Sequence, residues 1–197
     1  MSVSKQEERR ARSRAALLEA TARNLSRYGY GNLNLEQVAR DAGYTRGALY
    51  HQFSDKEDLV LAVLRWVDQT WRADAAELIE PGLSAREELL ALARAHAIYC
   101  RRDVARFATA LRLEFAGQDH PVGREVERIS ETAVRRCTRL IKSGREDGSI
   151  PPGPPARTTA LAVMGAMEGA VIGVAGRAPH DATLAQGAVA GVLGLTP

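Results

Sequence analysis

Apolar residues recur every three or four positions along almost the whole chain, and no segment alternates with a period of two. This spacing places apolar side chains on one face of an α-helix, whereas a half-buried strand needs strict alternation. One predicted stripe consists of Leu18, Thr21, Ala22, Leu25 and Tyr28. Gly29 ends that first helix. The sequence therefore predicts an all-α fold in which glycine and proline separate the helices.

Capping residues predict where the next two helices begin. Asn34 is a good N-cap for a helix that stops at Gly43, because its side chain accepts hydrogen bonds from free backbone N–H groups. The buried residues predicted for this helix are Leu35, Val38 and Ala39. Thr45 then opens a short helix that runs to about Phe53.

Two Ser-x-x-Glu sequences have the pattern of a capping box, in which serine and glutamate side chains satisfy each other's backbone. Ser54 with Glu57 predicts the start of a long fourth helix, and Ser84 with Glu87 predicts the start of a fifth. Four prolines make residues 148–155 a loop. The remaining predicted helices span residues 103–116, 121–142, 156–176 and 181–195.

The composition suits one or two small globular units. The chain has 197 residues, of which 45% are hydrophobic and 26% charged, and it is too apolar to be disordered throughout. Residues 1–14 are polar and rich in arginine, and no apolar run follows them, so they do not resemble a secretory signal. The sequence therefore predicts a cytoplasmic protein. Residues 1–60 and 61–197 are the predicted domains, with the division inside the fourth helix.

Positive charge is concentrated in the first part of the chain. Residues 1–51 contain nine lysines and arginines against five acidic residues, whereas the complete chain has a net charge of only +3. Such an excess favours binding to nucleic acid, although a solvated basic surface gives the same count.

Residues 34–53 have the spacing of a helix-turn-helix. Ala39 provides the small side chain needed where two helices touch, Gly43 lies in the turn, and Leu49 falls on the inner side of the second helix. The outer side of that helix carries Tyr44, Arg46, Gly47, Tyr50 and His51. Helix pairs with this spacing also occur in proteins that bind no DNA, so the spacing leaves both interpretations open.

A longer match favours DNA binding. Residues 17–64, and within them 38–39, 42–50 and 53–59, resemble without gaps the DNA-binding domain of the TetR family. The resemblance implies that the second and third helices form the helix-turn-helix and that the third enters the major groove. It further implies that the fourth helix leads into a larger helical domain for ligand binding and dimerisation.

The same resemblance implies a role for each matching residue. Arg46, Gly47 and Ala48 would approach base edges. Asn34 and Thr45 would cap their helices and meet phosphate, and Tyr50, His51 and Lys56 would hold backbone phosphates. Leu35 and Gln52 depart from the usual family pattern, which puts one or two phosphate contacts in question. The predicted DNA-binding residues are Asn34, Tyr44, Thr45, Arg46, Gly47, Ala48, Tyr50, His51 and Lys56.

Small residues predict a homodimer through the last two helices. Gly165, Gly169 and Gly173 recur every fourth position on one helix, and glycines 187, 191 and 194 mark the other, so a second helix can approach closely. Packing within one subunit is an alternative. A membrane span over residues 159–176 is another, but the segment is short and carries Glu168, so no membrane partner is expected.

Aromatic and methionine side chains predict a pocket for a small-molecule effector, unless they are ordinary core residues. The candidates are Trp66, Tyr99, Phe107, Phe115, Met164 and Met167. A run of arginines, residues 101, 102, 106 and 112, suggests either an anionic ligand or a solvated surface. His96 and Cys100 lie four positions apart without further ligands, so neither a metal nor a cofactor is expected.

These observations predict a dimeric DNA-binding transcriptional regulator, a repressor released by a small molecule. One alternative is a DNA-binding dimer controlled by a protein partner. An enzyme is a remote alternative, because the sequence shows no phosphate-binding glycine loop and no nucleophile–base grouping.

Overall fold

A computed structural model describes residues 4–102, 107–174 and 177–195. All regular structure within these ranges is helical, as the sequence predicts. The helices are α1 (Lys5–Tyr28), α2 (Leu35–Asp41), α3 (Arg46–Tyr50), α4 (Lys56–Leu78), α5 (Ala85–Tyr99), α6 (Phe107–Glu114), α7 (Pro121–Glu146), α8 (Ala156–Val174) and α9 (His180–Val192). Residues 103–106 and 175–176, which the sequence places in two of the helices, lie outside the described residues.

The chain packs as two compact units. Unit 1 comprises Met1–Asp68 and Asp103–Glu127, and unit 2 comprises Gln69–Arg102 and Arg128–Pro197. Helices α4 and α7 contribute residues to both units. This grouping describes packing, and the division into functional domains near residue 61 stays a prediction.

Helix α1 is the longest element of the described part of unit 1. Leu17 is fully buried and Leu25 nearly so, and Gly29 ends the helix with a φ of 72°. A positive φ is accessible to glycine at little steric cost. Tyr28, the last member of the predicted stripe, lies in the last turn of α1, and half of its surface is exposed.

The start of α4 differs from the predicted capping box. Ser54 and Glu57 do not pair; instead the Asp58 N–H donates to Asp55 Oδ1 over 2.8 Å, and the Ser54 N–H donates to Asp58 Oδ2 over 3.1 Å. The cap therefore lies one residue later than predicted, because an aspartate at residue 55 takes the capping role from the serine. The second capping box is confirmed: Ser84 N–H donates to Glu87 Oε2, and Glu87 N–H donates to Ser84 Oγ.

Helices α5, α7, α8 and α9 build the core of unit 2 around Leu89, Ile141, Val163 and Val189, which are all fully buried. Cys137 lies in the same core as a free thiol, and burial raises its pKa to about 11. A thiol with that pKa remains protonated and unreactive at neutral pH.

Two of the arginines considered for an anionic ligand are held by carboxylates. Arg101 makes two hydrogen bonds of 2.8 Å to Asp181, whose side chain is almost completely buried, and Arg102 lies 2.8 Å from Asp74. The Arg101 guanidinium keeps the pKa of the Asp181 carboxyl below its usual range. These ion pairs account for both arginines without a ligand, and Arg106 lies outside the described residues.

Among the described helices, none is both long enough and apolar enough to cross a membrane.

Gly144 on α7 allows close packing in unit 2. A Cβ atom there would lie 2.6 Å from Cδ1 of Ile150, which is 2% exposed. Overpacking of this kind costs about 1–3 kcal/mol. We expect Gly144→Ala to lower the thermal unfolding midpoint of the wild type, and to lower it much less in an Ile150→Ala background, because alanine removes both Cδ1 and the Cγ1 atom that would lie 2.7 Å away. Ser143→Ala, an exposed change on the same turn, should leave the midpoint unaltered; equal effects of Gly144→Ala and Ser143→Ala would contradict the packing argument.

Candidate nucleic-acid interface

Helices α2 and α3 form a helix-turn-helix whose inner side is apolar. Val38 and Leu49 are fully buried and Ala39 is 1% exposed. Gly43 has a φ of 75°, and the N–H of Tyr44 donates to the Ala39 carbonyl over 2.8 Å, which closes the turn. The packing roles predicted for Ala39, Gly43 and Leu49 are therefore confirmed.

Side chains cap both helices. Asn34 Oδ1 accepts from the backbone N–H groups of Glu36 and Gln37 at 2.9 and 3.1 Å. Thr45 Oγ1 accepts from the N–H of Ala48 at 3.2 Å. An N-cap contributes about 1 kcal/mol to helix stability. The Thr45 cap is a large part of the stability of α3, because this helix has only five residues.

The outer side of α3 is open to solvent. Arg46, Gly47, Tyr50 and His51 are exposed, and Ala48 is half-buried. Because Leu49 points inward, these residues form a continuous outer surface on one short helix. Tyr44, in the turn, is half-buried.

Arg46 has an acidic neighbour on α2. Its Nη1 lies 2.5 Å from Glu36 Oε1, and its guanidinium carbon is 5.4 Å from the centre of the Tyr50 ring. Both members of the ion pair are at least half exposed. Water screens such a pair, so it is easily exchanged for another partner.

Lys56, at the start of α4, is directed to the loop between α1 and α2. Its ammonium donates to the Gly31 carbonyl over 3.2 Å and lies 4.4 Å from the centre of the Tyr30 ring. Partial burial lowers the pKa of Lys56. The sequence did not indicate these contacts, which hold the ammonium end of the lysine side chain beside the α1–α2 loop.

Gln52 follows α3 and contacts α1. Its Nε2 donates to Ser13 Oγ over 2.8 Å, and its Oε1 is buried without a hydrogen-bond partner among the described residues. Arg14, next to Ser13, lies 4.6 Å from the centre of the Phe53 ring. Gln52 thus holds the end of the helix-turn-helix against α1. Leu35, the other departure from the family pattern, is half-buried at the start of α2.

Sequence reasoning missed a contact between α6 and the α1–α2 loop within unit 1. Glu114 accepts two hydrogen bonds of 2.9 Å, from the N–H of Tyr30 to Oε2 and from the N–H of Gly31 to Oε1. The Phe115 ring lies 5.0 Å from Tyr30 and stacks on His120 at 4.4 Å. Glu114 lies more than 80 positions from Tyr30 and Gly31 along the chain, so no local pattern reveals their contact.

The six predicted effector residues fall in both units. Phe107 and Phe115 are buried in unit 1, where Trp66 is half-buried. In unit 2, Met167 is buried in the core with Met164 packed against it, and Tyr99 is buried with its hydroxyl 2.7 Å from that of Thr70. A shared pocket for these six residues stays a prediction.

The described part of the chain contains no group of three or more potential metal ligands. His96 Nε2 lies 3.6 Å from Cys100 Sγ, so the two residues predicted to be neighbours on α5 are in contact. Burial lowers the pKa of His96 to about 4, which leaves the ring uncharged at neutral pH.

A family model described as "Bacterial regulatory proteins, tetR family" matches residues 17–63. The transcriptional repressor AcnR of Corynebacterium diphtheriae is 36% identical over 67 residues, which are 34% of this chain and 32% of the repressor. The chain spans about a third of the length of the curated relatives it matches.

Solved structures resemble the chain over nearly its full length. SCO4454, a TetR-family transcriptional regulator of Streptomyces coelicolor, superposes with a TM-score of 0.76 at 23% identity, covering 93% of this chain and 95% of that one. AibR, solved in complex with isovaleryl coenzyme A and operator DNA, gives a TM-score of 0.73 at 18% identity, covering 93% and 100%. At these identities the structures establish the fold.

Sequence relatives thus agree with the geometry of α2 and α3: residues 17–63 belong to the TetR family of bacterial regulatory proteins, and the described chain shares the fold of TetR-family regulators.

Proposed function

We propose that the protein is a homodimeric transcriptional regulator that binds operator DNA through α3 and represses transcription until a small molecule releases it. The observation that carries the proposal is the outer surface of α3, which is exposed, carries no acidic residue and is held rigidly from behind by Leu49. A helix presented in this way fits the major groove of B-DNA. The relatives are named regulators or repressors, which favours this function over an enzymatic one.

Arg46, Gly47 and Ala48 are the proposed base-reading residues. They form the first turn of α3, and the first turn of a recognition helix is the part that reaches base edges. Gly47 leaves the backbone open, because a Cβ atom there would have only the Thr45 side chain within 4 Å. Arg46 is suited to guanine, which offers two acceptors in the major groove.

The proposed phosphate contacts surround this turn. Tyr44, Tyr50 and His51 lie at its flanks, and the N-cap residues Asn34 and Thr45 are exposed at the starts of α2 and α3. Lys56 completes the set from the start of α4, where its contact with the Gly31 carbonyl holds it near the loop. Phosphate contacts fix the position and orientation of a protein on the duplex, whereas base contacts confer specificity.

Selection of bound duplexes from a random library tests the function. We expect a two-fold symmetric site, and substitution Arg46→Ala should weaken binding to it by about five- to 150-fold and relax the preference at one base pair in each half-site. Titration of duplexes with single base changes measures both effects.

Arg139→Ala, which removes an exposed arginine from α7 in unit 2, is the matched control and should retain wild-type binding. Equal weakening of Arg46→Ala on every sequence would make Arg46 a phosphate contact. Failure of the wild-type protein to enrich any sequence would overturn the proposed function.

The proposed dimer forms through α8 and α9. A Cβ atom added at Gly165, Gly169, Gly187 or Gly191 would meet nothing within 4 Å, so these glycines face open space in the single chain. Large apolar side chains lie exposed on the same helices: Leu161, Ile172, Leu184 and Val192. A two-fold arrangement of α8 and α9 with their counterparts would bury these surfaces.

Ile172→Glu tests this interface. The side chain is 66% exposed, so the substitution should leave the fold intact while introducing a charge into the dimer contact. We expect sedimentation equilibrium to show monomers at concentrations where the wild type is dimeric. Leu113→Glu, on α6 with a side chain 75% exposed, is the control and should remain dimeric. A dimer in both variants would place the interface elsewhere.

The effector is proposed to bind among the C-terminal helices, with Trp66, Tyr99, Phe107, Phe115, Met164 and Met167 as candidate contacts. AibR, which shares the fold, was solved with isovaleryl coenzyme A, and coenzyme A thioesters are therefore the first ligand class to test. Control by a protein partner is the alternative.

We place the protein in the cytoplasm, where a regulator meets its operator.

Thermal unfolding with isovaleryl coenzyme A separates these two forms of control. A ligand present at about 100 times its Kd stabilises a protein by about 2.7 kcal/mol, which is a shift of several degrees in Tm. We expect such a shift together with release from the selected duplex. Free coenzyme A is the control for the acyl group. No shift with any member of a panel of thioesters of increasing chain length would count against this ligand class.

A further inference from the structure

The first part of α1 extends beyond the packed part of unit 1. Every residue from Ser4 to Arg12 is exposed, and Ser13 is the first buried residue of the helix. At a rise of 1.5 Å per residue, Lys5 to Arg12 form an extension of roughly 12 Å. We call residues 5–12 the α1 extension.

Local hydrogen bonds rather than tertiary packing maintain the α1 extension. Ser4 N–H donates to Glu7 Oε2 over 2.8 Å, and Glu7 N–H donates to Ser4 Oγ over 3.2 Å, which is a complete capping box. These hydrogen bonds lower the pKa of Glu7. Glu7 and Glu8 also lie in the first turn, where negative charge is favourable. The sequence thus starts the helix two turns before anything packs against it.

Basic side chains dominate this exposed segment. It contains Lys5, Arg9, Arg10 and Arg12 against two glutamates, and one of the two is engaged in the cap. None of the four basic residues has a carboxylate partner within the described part of the chain, unlike Arg23, Arg46 and Arg157.

Three of the four basic residues share one side of the helix. Lys5, Arg9 and Arg12 follow the i, i+4, i+7 spacing that aligns side chains along a helix. Three unpaired cations in a row favour a polyanionic partner of regular spacing over a small ligand.

The C-terminal end of the α1 extension lies beside the residues that follow α3, the proposed reading helix. Gln52 Nε2 contacts Ser13 Oγ at 2.8 Å, and Arg14 lies over the Phe53 ring at 4.6 Å. A duplex that lies against α3 therefore comes close to the point where the α1 extension joins the packed part of α1.

We propose that the α1 extension binds the phosphate backbone of DNA next to the half-site read by α3, through Lys5, Arg9 and Arg12. This inference rests on the proposed DNA binding and adds a contact that carries no sequence information. Each phosphate contact releases condensed counterions from the duplex, so it contributes affinity that depends strongly on salt.

The test compares two triple variants of the full chain, K5Q/R9Q/R12Q and R139Q/K142Q/R177Q. Both remove three exposed positive charges, the first from the α1 extension and the second from unit 2. Binding is measured by fluorescence anisotropy between about 50 and 200 mM NaCl, on the selected duplex and on a scrambled duplex of the same length. The slope of log K against log[NaCl] should become shallower by about 0.9 for each phosphate that no longer has a cationic partner.

We expect the first variant to bind both duplexes with a shallower slope while keeping its sequence preference, and the second variant to match the wild type. R9K/R12K should retain the wild-type slope, because it keeps both charges. Circular dichroism establishes whether the glutamines preserve helix content. Equal slopes for the wild type and K5Q/R9Q/R12Q would overturn the inference while leaving sequence-specific binding intact, whereas absence of any enriched duplex would instead refute the proposed function.

Discussion

The exposed outer surface of α3, which is the proposed reading surface, depends on the burial of Leu49. A helix of five residues is too short to be stable alone, because the cost of nucleating a helix is recovered only over several turns. Leu49 contributes an apolar anchor with no exposed surface, and the Thr45 cap satisfies a backbone N–H at the other end. The direction of every exposed side chain on α3 follows from this anchor, since a rotation of α3 would expose Leu49 and cost about 2 kcal/mol of transfer free energy.

A second set of contacts connects α6 with the helix-turn-helix inside unit 1. The Glu114 carboxylate accepts from the backbone of Tyr30 and Gly31, and the carbonyl of Gly31 in turn accepts from Lys56 on α4. A displacement of α6 must therefore break charge-assisted hydrogen bonds or move the loop that precedes α2. A ligand that favoured a different position of α6 would therefore act on the loop as well, because a ligand shifts an equilibrium only by favouring one state.

Sequence alone predicted the parts of the fold that depend on local chemistry. The Asn34 and Thr45 caps, the Ser84 capping box and the Gly43 turn need only neighbouring residues, and the structure confirms each of them. The predicted Ser54 box failed, because aspartates at positions 55 and 58 compete for the same backbone groups.

The long-range contacts of the site were beyond prediction from spacing. Glu114 meets Tyr30 across 84 positions and Gln52 meets Ser13 across 39, and neither pair has a periodic signal. Arg101 likewise looked like one of a run of surface arginines until the fold placed the buried Asp181 carboxylate beside it. Long-range polar pairs depend on the register between helices, which the hydrophobic period does not determine.

The pairing of Arg46 with Glu36 bears on how binding and specificity are related. In the free protein the guanidinium already has a carboxylate partner, and Tyr50 lies beside it. In the proposed complex, acceptors on the DNA would therefore replace Glu36 as the partner of Arg46, so only the difference between the two interactions would contribute to affinity. A guanine offers two acceptors to the guanidinium, whereas other bases offer fewer. Because this ion pair is exposed, water screens it, and the Glu36 carboxylate would compete only weakly with a base for the guanidinium. It can orient Arg46 before binding, but it would not retain the side chain against the correct base. In the proposed complex, the ion pair would thus pre-organise Arg46 for base reading, while the proposed phosphate contacts would supply the sequence-independent affinity.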